Sequence, residues 1–449
     1  MNNPLLNAYY DQISQAVFGH RRPDLNLTGT AKLPSKFAVT DFACACIGAA
    51  ATALADLSGT PASDVTVDRR LASMWFDRTR RPLGWNLPDV WDPLAGNYRT
   101  KDGWIRLHTN APHHRDAALR VLGCPPTREA ITRTVRGCSS SNLETTIVEA
   151  GGCAAELRTM EAWAAHPQGQ AVQSEPLIHW TRHSTAPRKH TFPEVRPLAG
   201  VRVLDLTRVL AGPVASRFLA QFGADVLRND PPGWDEPGVV TETTPGKRRA
   251  YLDLKSAVGK KTFEPLLREA DILLHGYRPG ALDGLGFGRE SRRSINPALI
   301  DISLNAYGHT GPWRRRRGFD SLVQMSSGIA SPKGTVDQKP TPLPVQALDH
   351  GTGYLMAAAA LHALKIRSSG EIRSARLSLA RTGHLLASVP NAENQAPLQA
   401  GDDDYSTEIE NTDWGPAHRM SEPFTIGART KPAFAYPAGR LGKDDAAWR

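Results

Sequence analysis

The chain has 449 residues, 40% of them apolar, with 54 Lys and Arg against 45 Asp and Glu for a formal net charge of +9. That supports a globular protein with two or three ordinary cores, and the positive charge is spread along the chain, which suits a phosphate-rich ligand and argues against nucleic acid. No secretory signal is visible, and the apolar run from Phe42 to Ala55 is shorter than the roughly 20 residues a membrane span needs, so a soluble cytoplasmic protein is expected.

The front of the chain carries an Ala-rich stretch up to Leu54 and then Val65-Thr66-Val67-Asp68, preceded by Leu33-Pro34 and Asp41. The same order returns later as Leu343-Pro344, Asp349, the Ala-rich run from Ala357 to Leu364, and Ala375-Arg376-Leu377-Ser378, a weak internal repeat. Between 200 and 330 the pattern changes to short apolar runs alternating with helical periodicity. Val201 to Leu206 reads as a strand, Gly212-Pro213 opens a helix through Phe222 with Pro213 at its first position, and Val226-Leu227 starts a second strand. Arg249 to Leu254 alternates, Ser256 caps a helix running to Glu269, and 271–274 and 299–304 follow as strands. Strands alternating with helices give a doubly wound, mostly parallel α/β sheet, whose ligands bind beyond the carboxyl ends of the strands. Segments 207–212, 276–278 and 305–308 fall there.

Other chemistries are poorly supported. Cys44, Cys46, Cys124, Cys138 and Cys153 are an odd set without CxxC spacing, so they read as reduced thiols, mostly buried. His108, His113 and His114 lack a nearby acidic or cysteine partner at metal spacing, and no metal is expected. Gly284-Leu285-Gly286-Phe287-Gly288 has Arg289 where a dinucleotide fingerprint needs its third glycine, and there is no G-x-S-x-G.

The segments Leu198 to Asp205, Ala211-Gly212-Pro213, Phe222 to Val226, Gly246-Lys247-Arg248, Leu252 to Lys255, Arg278-Pro279-Gly280, Asn296-Pro297, Gly311-Pro312 and Gly318-Phe319-Asp320 stand together in one order. In that order they resemble the class III CoA-transferases, the CaiB/BaiF type that includes formyl-CoA, carnitine and bile-acid CoA-transferases and related acyl-CoA racemases. Coverage runs from about Pro197 through Leu386. The resemblance implies a Rossmann-like large domain and Asp320 as a covalent nucleophile. The aspartate opens an acyl-CoA thioester to a mixed anhydride, CoA returns to form an aspartyl thioester, and an acceptor carboxylate opens that. It also implies coenzyme A contacts at Val209, Leu210, Ala211, Leu252, Lys255, Tyr277, Arg278 and Leu285. Lys255 and Arg278 suit the phosphates of CoA. At the start of a helix from Ser321 to Ala330, the dipole is expected to favour ionised Asp320 by roughly 0.3–1 kcal/mol. Arg314 to Arg317, beside it, are candidates for steering an anionic acyl-CoA. Phe319 stands where the family's racemases carry a histidine, which favours transfer over racemisation or isomerisation. A non-catalytic acyl-CoA-binding protein is a further alternative.

Tyr98 to His108, Leu122-Gly123 and Arg158 to Trp163 resemble the family's small domain, here placed before the large one. The expected division is 1–78, a helical segment resembling a degenerate copy of 343–380; 79–172, the small α+β domain; 173–196, a linker containing Ser184 to Pro187; 197–390, the large domain; and 391–449, an acidic linker with a C-terminal tail expected to pack as extended loop. The family resemblance also implies a homodimer, of the interlocked kind its members form. Trp75, Phe76, Trp85, Trp91 and Trp313 are candidates for an apolar acyl pocket.

Overall fold

The alternation over 200–305 builds strand–helix units because each apolar strand run is flanked by an amphipathic helix that returns over one sheet face. The computed structural model describes residues 3–30, 32–184, 191–389 and 398–449. Its central sheet has seven strands in the order Lys247–Tyr251, Asp225–Asp230, Arg202–Leu206, Ile272–His275, Ile300–Asn305, Glu371–Ser378 and His179–Ser184. The first six are parallel, and the last is an antiparallel edge. In chain order the parallel strands run 3-2-1-4-5-6, the doubly wound arrangement whose switch point lies between Arg202–Leu206 and Ile272–His275. The loops 207–212 and 276–278 leave the carboxyl ends of those two strands.

Alternation along the strands separates two cores. Val203, Ile272, Leu274, Ile300, Ile302, Ala375 and Leu377 face helices Val39–Ser58, Ala211–Gln221 and Ala347–Arg367. Leu204, Leu206, Leu227 and Leu273 face Ala257–Glu269 and the short helices after it. Ser256 caps Ala257–Glu269 as expected, its Oγ accepting from the Gly259 amide at 2.9 Å. The helix after the first strand begins at Ala211, so Pro213 is its third residue, and the helix holding Asp320 ends at Ser326.

Three small sheets complete the fold among the described residues. Gly96–Arg99, Trp104–Leu107 and Ala154–Glu156 form an antiparallel sheet packed by three helices around Ile105, Leu107 and Ile147. The stretch 173–196 is not all strap: His179–Ser184 is the edge strand, and 185–190, with Thr185 to Pro187, lies outside the described residues. That strand shows no apolar pattern because, at an edge, only Trp180 packs against the core, its Nε1 donating to the Ala16 carbonyl at 2.8 Å. Likewise 391–414 is not simply linker. Tyr405–Thr412 and Gly415–Met420 form a hairpin joined by Arg80–Pro82, and its acids are counter-ions: Asp404 pairs with Arg70 at 2.7 Å and Glu410 with Arg80 at 2.9 Å. Residues 390–397 lie outside the described residues. Phe424–Ile426 pairs with Val65–Asp68, whereas 427–449 packs without regular structure, Trp448 donating to the Leu266 carbonyl at 3.1 Å.

The apolar run of 42–55 sits in a helix of 20 residues, Val39–Ser58, long and apolar enough for a membrane span, but 94% of its most apolar window is buried inside the protein. It packs against Ala347–Arg367. Both helices start in the same uncommon way. Ala38 (φ −75°, ψ 58°) and Gln346 (φ −76°, ψ 64°) precede them, and the Val39 and Ala347 amides each donate two residues back, to Phe37 and Val345, at 2.8 Å. A strand and then a helix follow each, with Asp68 and Ser378 as N-caps accepting from the Leu71 and Arg381 amides.

Candidate active site

Asp320 is the first residue of helix Asp320–Ser326 and has no solvent exposure. Extended Phe319 (φ −141°) delivers the chain into that helix, and Gly318 before it is required by packing: a Cβ there would lie 2.6 Å from Ala306 and from the Tyr307 ring. The amides that hold the carboxylate belong to another helix. Oδ2 accepts from the Leu348 and Asp349 amides, at 2.8 and 3.0 Å, in the first turn of Ala347–Arg367. Oδ1 accepts from Gln324 Nε2, one turn along its own helix. Gln324 is fixed in that orientation because its Oε1 accepts from the Leu343 amide at 2.8 Å. Every donor therefore favours the carboxylate form, and the first helical turn that matters electrostatically is that of Ala347–Arg367.

Burial opposes that preference and outweighs it in the pKa, although not far enough to neutralise Asp320 at pH 7. Desolvation pushes its pKa up to about 6, against the pull of Gln324, the two amides and the Arg106 charge. Asp349 stands beside it, with its own pKa raised further by burial and by the Asp320 charge. The pair thus keeps its proton on Asp349 and its charge on Asp320. Over Asp320 lies the small sheet's Trp104–Leu107 strand and the turn after it. His108 stacks on Phe319 with ring centroids 3.7 Å apart, and His114 meets the same ring edge-on at 5.9 Å. His108 and His114 are both buried and pushed down to about 3, chiefly by desolvation. Arg106 lies over the Trp91 ring at 4.5 Å and donates to Asn97 at 3.1 Å.

The expected CoA contacts divide into two groups. Val209, Leu210 and Ala211 follow the first strand and lead into Ala211–Gln221, and Val209 has φ 66°, a strained conformation for a β-branched residue. Its amide donates to Glu236 at 2.9 Å, and Glu236 is gripped by buried Arg228. Leu252, Tyr277 and Leu285 come together on the rim of the second core. Arg208 links the groups, its guanidinium 5.7 Å over Tyr277 and 4.8 Å over Trp234. Arg278 is exposed and near enough to His114, Cys153 and Arg317 to interact with them electrostatically, so it reaches toward the small domain. Lys255 is exposed beside this rim, at the turn before Ala257–Glu269. These residues could take a nucleotide: flat apolar faces, a cation stacked among aromatics, and outward cations for phosphates.

Sequence reasoning missed Gln324, Asp349, Arg106, His108 and Arg208. Gln324 had a signal, since position i+4 on a helix shares a face with i; the others depend on long-range packing. The four arginines beside the nucleophile do not act as one patch. Arg316 is buried against Glu144 (2.8 Å) and the Trp313 face (3.9 Å), Arg317 donates to the Gly151 carbonyl, and Arg314 is exposed. The expected aromatic acyl pocket is not assembled: Trp75 and Phe76 belong to the main core and Trp85 packs on Gly415, leaving Trp91 beside Arg106. All five cysteines are free, and among the described residues no cluster of three or more metal-binding side chains occurs.

A seven-stranded, mostly parallel sheet with a buried aspartate held by amides of a neighbouring helix defines an α/β protein with a candidate site at that carboxylate. Residues 198–420 match the model of CoA-transferase family III. The probable fatty acyl-CoA transferase Rv3272 of Mycobacterium tuberculosis is 35% identical over 183 residues, 38% of this chain and 46% of that protein. Formyl-CoA:oxalate CoA-transferase of Escherichia coli is 35% identical over 181 residues, covering 37% and 44%. Succinyl-CoA–D-citramalate CoA-transferase of Chloroflexus aurantiacus is 34% identical over 185 residues, covering 38% and 46%. The chain thus spans about half the length of the curated relatives it matches. A crystal structure of Rv3272 aligns with a TM-score of 0.40 at 31% identity, covering 43% of this chain and 58% of that one. A CAIB/BAIF family protein from Brucella suis aligns at 0.38 and 28% identity, covering 49% and 65%.

Proposed function

We propose that the chain transfers CoA from an acyl-CoA to a carboxylic acid, with Asp320 as the covalent nucleophile. The observation that carries this reading is a fully buried carboxylate at the first turn of its helix, held by two amides and a fixed carboxamide. An Asp320 oxygen adds to the thioester carbonyl, the C–S bond breaks, and CoA leaves as thiolate, giving a mixed anhydride. The thiolate attacks the aspartyl carbon and releases the donor acid as its carboxylate, leaving an aspartyl-CoA thioester. The acceptor carboxylate repeats these two steps in reverse and frees Asp320. Charge balances at each step, and burial keeps water from the activated acyl groups. CoA is proposed to run from the Arg208–Tyr277 rim, past Arg278, to Asp320.

Racemisation needs a second base opposite the aspartate. His108 stacks on Phe319 in the right region, but with a pKa of about 3 it is too weak a base for that task. The test is mass spectrometry after incubation with a panel of acyl-CoA thioesters and trapping with hydroxylamine. The peptide holding Asp320 is expected to be modified in wild type and unmodified in Asp320→Ala. Binding of acyl-CoA with no adduct would overturn the covalent reading.

Residues 1–78 are proposed to be a degenerate copy of 343–380, which the matching helix starts, strand order and N-caps support. In this copy Asp41 occupies the position of Asp349 and pairs with Arg69 at 2.5 Å.

A further inference from the structure

Helices after the fourth parallel strand cover only part of the second sheet face. The uncovered part, over Ile300–Asn305, Glu371–Ser378 and His179–Ser184, closes into a cavity of about 170 Å³ beneath Arg289–Ile295. Strand parity places it across the sheet from the nucleophile. Ile300, Ile302, Ala375 and Leu377 face Ala347–Arg367, the helix whose amides hold Asp320; Asp301, Ser303, Ser374 and Arg376, one residue out of phase, face the cavity.

Its walls are strongly basic: Arg278, Arg289, Arg292 and Arg376 with His275, against Asp283 and Asp301. Asp301 is fully committed, paired with Arg292 at 2.6 Å and with His275 at 3.2 Å. Of the three remaining wall cations, neither Arg289 nor Arg376 forms an ion pair with a carboxylate among the described residues, although the Glu175 charge acts on Arg376 from a distance. Among the described residues Arg289 reaches His183 Nε2, at 3.4 Å. Arg376 Nε and His275 Nδ1 are buried with no hydrogen-bond partner among the described residues. Burying donors unpaired costs about 1–3 kcal/mol each, more where charged, unless a ligand or solvent satisfies them. Burial and the charge of Arg289 also pull the Arg376 pKa down, a repulsion that an anion would relieve.

We propose that this cavity, which adjoins the proposed CoA path at Tyr277 and Arg278, is a further subsite for a phosphate-class oxyanion bound between Arg376 and Arg289, on the opposite sheet face from Asp320. The enclosed part would hold a phosphate or diphosphate group, and a larger ligand would extend through its open mouth. Paired guanidinium groups match its oxygens in number and geometry.

The test is calorimetric titration of the full chain with inorganic phosphate and with pyrophosphate, at low ionic strength. Wild type is expected to bind saturably. Arg376→Gln and Arg289→Gln should each weaken binding by about tenfold, the value of one charge-assisted hydrogen bond, with Arg314→Gln, an exposed arginine elsewhere, unchanged. Thermal unfolding checks that each variant is folded, and agreement between the two cavity variants guards against a misfolded one. Equal weakening by Arg314→Gln, or no saturable binding by wild type, overturns the site. Two sources share this chemistry, and competition separates them: if CoA displaces phosphate and dephospho-CoA does not, the site takes a cofactor phosphate, and if neither does, it takes free phosphate. Failure here leaves hydroxylamine trapping at Asp320 untouched, so the two readings fail separately.

Discussion

At Asp320 two opposing effects set the reactivity. An ordinary aspartate near pH 4 is a weak nucleophile because it is a weak base, and burial lifts this one to about 6, which strengthens it while leaving it mostly ionised at neutral pH. Adduct formation is therefore expected to fall as pH drops through about 6, measured by intact-protein mass spectrometry across a pH series. Gln324→Leu removes a donor to the carboxylate and should move that midpoint upward by about one unit. Asp349→Asn, which resembles the protonated acid, should leave it within about half a unit; a large downward move would mean Asp349 carries charge. Stability follows the same sign. A pKa raised by folding favours the native state at low pH, and this contribution is lost as pH rises through about 6. Asp320→Asn does not titrate, so its melting temperature relative to wild type is expected to be higher at pH 7.5 than at pH 4.5. Asp320 itself was legible as a lone acid behind Gly318-Phe319. Its raised pKa was not, because desolvation depends on the helix Ala347–Arg367 that closes over it.

At the scale of elements, the helix Ala347–Arg367 connects the parts, touching Val39–Ser58, Ala211–Gln221 and the nucleophile. Its position depends on small residues. A Cβ at Gly353 would lie 2.4 Å from the Ala211 carbonyl oxygen and 2.8 Å from Val214 Cβ, so the two helices cross in near-backbone contact. Gly353→Val is expected to destabilise the protein by about 1–3 kcal/mol through overpacking and to slow adduct formation by displacing the Leu348 and Asp349 amides. In contrast, Gly284 has nothing within 4 Å of a built Cβ and has helical neighbours, so Gly284→Ala should be neutral or stabilising by up to about 1 kcal/mol. Urea denaturation of both variants checks the pair. The strands and helices of 200–305 were legible because period-2 and period-3.6 patterns alternate there. The strand His179–Ser184 and the hairpin of Tyr405–Thr412 were not. Both are polar edge elements whose partners, Glu371–Ser378 and Arg80–Pro82, lie far away in sequence.

At the scale of the whole molecule, the placement of the small sheet ahead of the large one leaves one chain with both walls of its site. His108 stacks on Phe319, and the charge of Arg106 acts on Asp320, within a single chain. The front segment could be matched to a small domain by its residues, but whether it would reach its own nucleophile depends on how the chain between 173 and 197 folds back, and no local pattern encodes that. Sharing of the site between chains would have a distinct signature, because two chains defective in different walls could combine one intact site. Asp320→Ala lacks the nucleophile. Arg106→Ala loses a cation that offsets the desolvation of Asp320, leaving less of it ionised at neutral pH, and loosens the wall over it, so adduct formation is expected to slow severalfold. When the two variants are co-expressed with different tags and mixed species are purified, adduct formation is expected to equal the average of the parents. Recovery toward one quarter or more of wild-type activity would show that Arg106 of one chain serves Asp320 of another, and the cis arrangement would then be wrong.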